Sequence, residues 1–248
     1  MAFTDAALAE QKIGIVVMHG KWDSPYGHML LFARRMESAG FLVESPEMLW
    51  SERRAYDSDM ASFIKEISAA VKTLKEKGAA KVCLAGHSSG GAGAVYYASL
   101  VKTDCVIAMA PAPYTGYAGY HERVKNDLAR AKEMVALGKG NETASFLDLN
   151  SGGRSRSMRM AARIFIEQND IGGPIDTEKN ASHILPGTAV LWIFGAGEEA
   201  LRRKNGDDAY AKIPNSVIKK FVVVQGDHLG TPDESSGVAI EWIRTTLN

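Results

Sequence analysis

The sequence predicts an α/β fold: a mostly parallel sheet with helices on both faces. Three observations lead there. Short apolar runs alternate with helical stretches from residue 13 to residue 110, and strands that alternate with helices form parallel sheets. The alternation breaks at Pro111 and resumes at residue 188. The first run, "IGIVVM", is continuously apolar and rich in β-branched residues, as a strand buried on both faces is.

The elements follow in order. "IGIVVM" (13 to 18) is the first strand, and "GHMLLFARRMESAG" is a helix ending at Gly40, a natural left-handed stop. "FLVES" (41 to 45) is a short strand. The next helix carries Met60, Phe63, Ile64, Ile67, Val71 and Leu74 on one face; Asp57 or Ser58 can cap it, and Gly78 ends it. "KVCLA" is a strand, "GAVYYASLV" a helix and "CVIAMA" a strand, with right-handed crossovers expected between them. The segment 111 to 187 is too long for a loop. Within it, Tyr120, Val124, Leu128, Ala131 and Val135 form a helical stripe, and "RSRSMRMAARIFIEQ" reads as a second helix, so the segment is expected to be a helical insertion over the sheet rather than a separate domain. "TAVLWIF" (188 to 194) and "VIKKFVVV" (217 to 224) are strands, and a helix from about Asp233 to Leu247 closes the chain.

Composition narrows the function classes. The chain has 248 residues, 46% hydrophobic and 23% charged, enough to bury a core without covalent staples. Lys plus Arg and Asp plus Glu number 29 each, which leaves no electrostatic footprint for nucleic acid or an anionic membrane. No apolar run approaches the roughly 18 residues needed to span a bilayer. The opening "MAFTDAALAEQK" lacks the basic and apolar regions of a signal peptide. A cytoplasmic location is therefore expected, or a periplasmic or secreted one if a leader has been removed. Cys83 and Cys105 sit in apolar runs and are expected to be free buried thiols. No Cys/His spacing resembles a zinc site, so no metal is expected.

Ligands of open parallel sheets bind beyond the carboxyl ends of the strands. The residues found there carry chemistry. "KVCLA" is followed by Gly86-His87-Ser88-Ser89-Gly90, a Gly-x-Ser-x-Gly string between a strand and a helix. "TAVLWIF" is followed by Gly195-Ala196-Gly197-Glu198-Glu199, and the last strand by Gln225-Gly226-Asp227-His228. Serine, carboxylate and histidine in that chain order fit a nucleophile elbow. A serine hydroxyl needs a base to attack at neutral pH, His228 can accept and return the proton, and a carboxylate can hold the imidazole in one tautomer. Glu198 is the first choice for the acid, with Glu199 and other carboxylates such as Asp227 left open. Ser89 would give one backbone N–H to a developing oxyanion, at a helix N-terminus. The loop His19-Gly20-Lys21-Trp22 would give a second, from Lys21 or else Trp22.

With these residues the chain resembles the α/β-hydrolase-fold serine hydrolases over nearly its whole length. The resemblance implies one domain, residues 1 to 248, with the insertion at about 111 to 187 serving as a cap over the pocket. The two leading strands common in the family have no counterpart before residue 13, so about six strands are expected. The family most often has Asp where this chain has Glu198. A related dehalogenase chemistry would need Asp in place of Ser88.

The expected activity is hydrolysis of a carboxylic ester or thioester through an acyl-enzyme, without a cofactor. The partner expected is a small ester-type molecule, not nucleic acid; the oligomeric state is left open. Amidase, peptidase or acyltransferase chemistry on the same residues, and a non-catalytic binding protein of the same fold, are the alternatives. His19, Trp22, His87, Phe146, Met158 and Phe165 are pocket candidates, with ordinary cap-to-core packing the plainer reading of the apolar residues of the insertion. Arg154, Arg156, Arg159 and Arg163 read as a solvated face or as a clamp for an anionic substrate.

Overall fold

The computed structural model describes residues 12–150 and 154–247. The opening stretch read above for a signal peptide lies almost wholly outside them. Six strands form one parallel sheet: β1 (Ile13–Met18), β2 (Leu42–Glu44), β3 (Lys81–His87), β4 (Cys105–Met109), β7 (Ala189–Gly195) and β8 (Lys219–Val224). Their order is β2-β1-β3-β4-β7-β8.

Side chains alternate across each strand, and the alternation divides the core into two layers. Ile13, Ile15 and Val17 of β1 join Ile107 of β4 and Leu191 of β7 on one face. There they meet Phe32 and Met36 of α1 (Leu30–Ser38) and Trp242 and Ile243 of α8 (Thr231–Leu247). Val16 and Met18, with Leu84, Val106 and Trp192, face the other layer. That layer holds Phe63 and Ile67 of α2 (Met60–Glu76) and Val95 of α3 (Ser89–Leu100). Asp59, not Asp57 or Ser58, caps α2: its carboxylate accepts the Ser62 N–H at 2.8 Å.

Cys83 and Cys105 form a disulfide, not the free thiols expected. The two residues are direct partners in the β3–β4 register, with Cα atoms 4.5 Å apart, so both thiols leave the sheet on the same face side by side. Their spacing along the chain carries no trace of that register.

The insertion between β4 and β7 contains α4 (Ala118–Ala136), strands β5 (Thr143–Leu149) and β6 (Ser155–Ala161), then α5 (Ala162–Asn169) and α6 (Thr177–Ala181). "RSRSMRMAARIFIEQ" is therefore not one helix. Its first half pairs with β5 in an antiparallel hairpin. Met158 and Met160 turn inward while Ser157 and Arg159 face solvent, a period of two that helical spacing masked. A further helix, α7 (Ala200–Lys212), follows β7. Among the described residues no helix is long and apolar enough to cross a membrane.

A parallel sheet sends all its strand C-termini to one edge. The chain goes from β1 outward to β2, then back past β1 to β3, so β1 and β3 flank the point where the strand order reverses. Crevices form there in open α/β sheets. The loops that follow β1 and β3 meet at that point.

Candidate active site

Ser88 is the turn between β3 and α3. Its backbone is left-handed, φ 54 and ψ −120, a strained conformation for a residue with a Cβ. The fold holds it there: Ser88 N–H donates to Met109 O at 2.9 Å and Ser88 O accepts from Ala92 N–H at 3.0 Å. The flanking glycines are steric necessities. A Cβ on Gly86 would lie 2.2 Å from Gly90 O, and a Cβ on Gly90 would lie 2.2 Å from Met18 O. Strand, turn and helix thus pack backbone to backbone, and the Ser89 amide opens α3 without an intrahelical acceptor.

The loop after β1 lies against this turn. A Cβ on Gly20 would be 3.3 Å from Ser88 Cβ. His19 is buried behind the loop and fixes it: its Nε2 accepts from Met48 N–H at 3.0 Å, so Nδ1 carries the proton and donates to Gly20 O at 2.8 Å. Burial holds the His19 pKa below its usual 6.5, which favours this neutral ring. His19 O also accepts from Trp50 Nε1 at 2.9 Å. Trp22 takes a left-handed backbone, φ 59, and its N–H donates to Trp50 O at 3.0 Å. That amide is occupied and is not open to an oxyanion, which removes the second choice made from the sequence. The Lys21 N–H has no backbone acceptor among the described residues.

The loops after β7 and β8 touch because those strands are neighbours. Gly197 N–H donates to Gly226 O at 2.8 Å, and a Cβ on Gly195 would lie 2.5 Å from that same oxygen. The contact brings Glu198 to His228, with Nδ1 and Oε2 2.9 Å apart. The Glu198 side chain is 1% exposed and that of His228 13%. His228 is tied to the Ser88 turn through His87, whose Nε2 donates to His228 O at 2.8 Å while the two rings lie 4.6 Å apart. Asp227 is turned elsewhere: its Oδ1 accepts from Gly230 N–H at 2.9 Å and its carbonyl accepts the Thr231 N–H that opens α8. Glu199 precedes α7 at the wall of a cavity.

No family model matches the chain, and no curated protein does. Solved structures do. The chain is similar to a lipolytic enzyme of the metagenome-derived LipS and LipT pair, with a TM-score of 0.65 and 18% identity over 95% of this chain and 93% of that one. It is similar to a monoacylglycerol lipase from Paleococcus ferrophilus, with a TM-score of 0.64 and 19% identity over 94% of each chain. Est1E from Butyrivibrio proteoclasticus aligns with a TM-score of 0.60 and 17% identity, over 96% of this chain and 88% of that one. The chain has the α/β-hydrolase fold.

In this α/β-hydrolase fold a cavity of about 220 Å³ opens beside Ser88. Lys21, Ser88 and Ser89 form one wall. Tyr117 at the N-cap of α4, with Tyr120 and Arg123 in its first turns, line the cavity too, as do Tyr114 and Leu149. Tyr117, Tyr120 and Arg123 are three residues apart and so share one side of that helix. That spacing is visible in the sequence, but Tyr120 also falls on the stripe expected for the core, which hides the pattern. The Tyr120 hydroxyl donates to Asn169 Oδ1 at 2.6 Å, and burial pushes its pKa up.

The residues expected to line the pocket lie elsewhere. Phe146 and Phe165 stack on each other with centroids 4.5 Å apart, fully buried in the core, and Met158 packs against that cluster. All three belong to the insertion, and their place is in its packing, the other reading. His19 and His87 are buried and hydrogen-bonded to backbone, as above, so both buttress loops. Trp22 lies under the Arg156 guanidinium at 4.4 Å from the ring centroid. Three of the four arginines of the insertion are engaged with other side chains. Arg156 pairs with Glu52 at 2.8 Å, Arg163 with Asp59 at 2.9 Å, and Arg159 donates to Thr143 Oγ1 at 3.1 Å.

One residue had no signal in the sequence. Asp148, at the end of β5, is 1% exposed and accepts from Lys21 Nζ at 2.7 Å, Trp22 Nε1 at 2.6 Å and Tyr56 OH at 2.8 Å. Its donors are 92 to 127 positions away, so only the folded chain assembles the cluster. Among the described residues no group of three His, Cys, Asp or Glu side chains could hold a metal ion.

Proposed function

We propose that the protein is a serine hydrolase that cleaves a carboxylic ester or thioester of a small molecule through an acyl-enzyme on Ser88. The observation that carries this reading is the bond from His228 Nδ1 to the buried Glu198 carboxylate, on loops anchored to the Ser88 turn. A carboxylate can only accept, so the Nδ1 proton lies toward Glu198 and Nε2 keeps a lone pair. Nε2 is then the base.

The steps follow from that tautomer. The Ser88 hydroxyl oxygen attacks the carbonyl carbon while its proton passes to His228 Nε2. Glu198 stabilises the imidazolium that forms. The carbonyl oxygen gains negative charge, met by the backbone N–H groups of Ser89 and Lys21. The tetrahedral species collapses: the bond from carbon to the leaving oxygen or sulfur breaks, and the leaving group takes the proton from His228. Water then attacks the acyl-serine, giving its proton to His228. The acid is released, and the proton returns to Ser88.

The cavity size favours a short acyl or alcohol group, and its tyrosine side chains favour an apolar or aromatic one. The insertion supplies Tyr114, Tyr117, Tyr120, Arg123 and Leu149 to the lining of the cavity, which supports its role as a cap. A panel of p-nitrophenyl esters of graded chain length tests both points. Wild-type protein is expected to prefer short chains and to react with a fluorophosphonate at one site. Ser88→Ala is expected to lose labelling and about 10⁶ in kcat. A folded Ser88→Ala that still labels, or still turns over these esters at the wild-type rate, rejects the reading.

A further inference from the structure

We infer that Asp148 is a positioning residue for the oxyanion-binding loop, holding Lys21 and Trp22 so that the Lys21 N–H is set beside Ser88. This rests on the serine-hydrolase reading above. It makes the cap hairpin part of the machinery that sets the rate, besides forming a wall of the pocket.

Both oxygens of Asp148 are committed to the body of the protein. Oδ1 takes Lys21 Nζ, while Oδ2 takes Trp22 Nε1 and Tyr56 OH. Two of the three donors are consecutive residues of the loop after β1. Lys21 Nζ also donates to Leu149 O at 2.9 Å, so the lysine side chain is drawn toward the hairpin. Trp22 has the left-handed backbone, φ 59, that a residue with a large side chain adopts only when its surroundings impose it. Those surroundings are the Trp50 carbonyl on its N–H, Asp148 on its Nε1 and Arg156 on its ring face. Asp148 and Arg156 are direct partners in the β5–β6 register, so one rung of the hairpin grips Trp22 from two sides.

The other end of this strained loop is Gly20, packed against Ser88, and Lys21 lines the same cavity as Ser88 and Ser89. An oxyanion donor acts only at hydrogen-bond distance, and losing one costs about 10² to 10³ in kcat. A buried carboxylate with a lysine is an expensive way to join two surfaces that apolar packing could join. It does set one orientation, because the charged and indole donors fit one arrangement of the loop. Asp148 itself is buried and is not among the residues lining the cavity, so its effect belongs on kcat rather than on substrate affinity.

The test compares wild type, Asp148→Asn and Trp22→Phe. Asn keeps the shape of the side chain and loses the charge that holds Lys21. Phe keeps a ring under Arg156 and loses only the Nε1 donor. Turnover of p-nitrophenyl acetate is measured per active site titrated, alongside the rate at which diethyl p-nitrophenyl phosphate phosphorylates Ser88, a reaction that also needs the oxyanion donors. Each folded variant is expected to lose about 10- to 100-fold in kcat, with a matching loss in phosphorylation rate and KM within about threefold. If Asp148→Asn does not fold, Trp22→Phe decides alone. Variants whose kcat and phosphorylation rate stay within about twofold of wild type, or which change KM alone, overturn the inference and leave the serine-hydrolase reading standing. A wild-type protein that neither turns over the ester nor is phosphorylated at Ser88 overturns both.

Discussion

Glu198 Oε2 lies 2.9 Å from His228 Nδ1, across 30 residues of sequence, because β7 and β8 are neighbours whose loops share a backbone contact. The bond selects the tautomer of the ring. Glu198→Gln keeps the size of the side chain but can present an N–H₂ to Nδ1, which favours the proton on Nε2, where a base must be empty. The expected loss in kcat on p-nitrophenyl acetate is about 10⁴, by analogy with the Asp-to-Asn change in other triads. Glu198→Asp keeps the charge and loses reach, so an intermediate rate is expected.

Two glycines predict stability changes of opposite sign. Gly90 has no room for a Cβ, with Met18 O at 2.2 Å and His19 O at 2.7 Å from where it would be. Gly90→Ala should lower stability by about 3 kcal/mol, the upper range for overpacking. Gly237 lies inside α8, is exposed, and has nothing within 4 Å of where a methyl group would stand. Gly237→Ala should raise stability by about 0.5 to 1 kcal/mol through helix propensity. Urea denaturation midpoints of the two variants check both signs.

Asp59 links acid stability to the cap. Its carboxylate accepts the Ser62 N–H and pairs with Arg163, and these hold its pKa at about 2, below the ordinary 3.8. A depressed carboxylate contributes stability that is present above 3.8 and is lost as pH falls toward about 2. Asp59→Ala should cost about 1 kcal/mol at neutral pH, as lost helix caps do. The variant should also lose less stability than wild type between pH 4 and pH 2, which denaturant titration at the two pH values would show.

His19 gives a slope in a different window. Burial is the main cause that holds its folded pKa below the usual 6.5. As pH falls through 6.5 the unfolded chain takes the proton first, so this contribution is present above 6.5 and declines below it. His19→Gln should therefore lose less stability than wild type on going from pH 8 to pH 5.5, whatever its absolute stability. A variant with the wild-type difference would place the proton-linked group elsewhere.

The four inner strands of the main sheet are legible because each is a short apolar run, buried on both faces, and the edge strands β2 and β8 because they keep the alternation of strand and helix. The Ser88 turn was legible for a steric reason: only glycine fits at Gly86 and Gly90, so the close approach of strand and helix is written into residue type. His228 and Glu198 were found because parallel strands send their ends to one edge. The rest depended on partners far along the chain. β6 reads as helix because it runs directly into α5 with no turn residue between them, and the two-residue period of Met158 and Met160 is too short to stand out until β5 is beside it. Helix α7 escapes notice, since "ALRRKNGDDAYAK" carries no continuous apolar stripe. The Cys83–Cys105 disulfide needed the β3–β4 register. Trp22 N–H is offered to the oxyanion because nothing near it in sequence announces Trp50 as its acceptor. Asp148 gave no local cue at all, since its meaning lies in three donors from two other segments.

The central claim is a covalent acyl group on Ser88. It is tested most directly by quenching turnover of p-nitrophenyl acetate in acid within milliseconds to seconds and mapping the protein by peptide mass spectrometry. An acetyl addition of about 42 Da on the peptide that holds Ser88, absent in Ser88→Ala and accumulating in His228→Ala supplied with a strong external base, is the expected result. Rapid hydrolysis by wild-type protein with Ser88 unmodified at every quench time, and with Ser88→Ala equally active, would contradict the account.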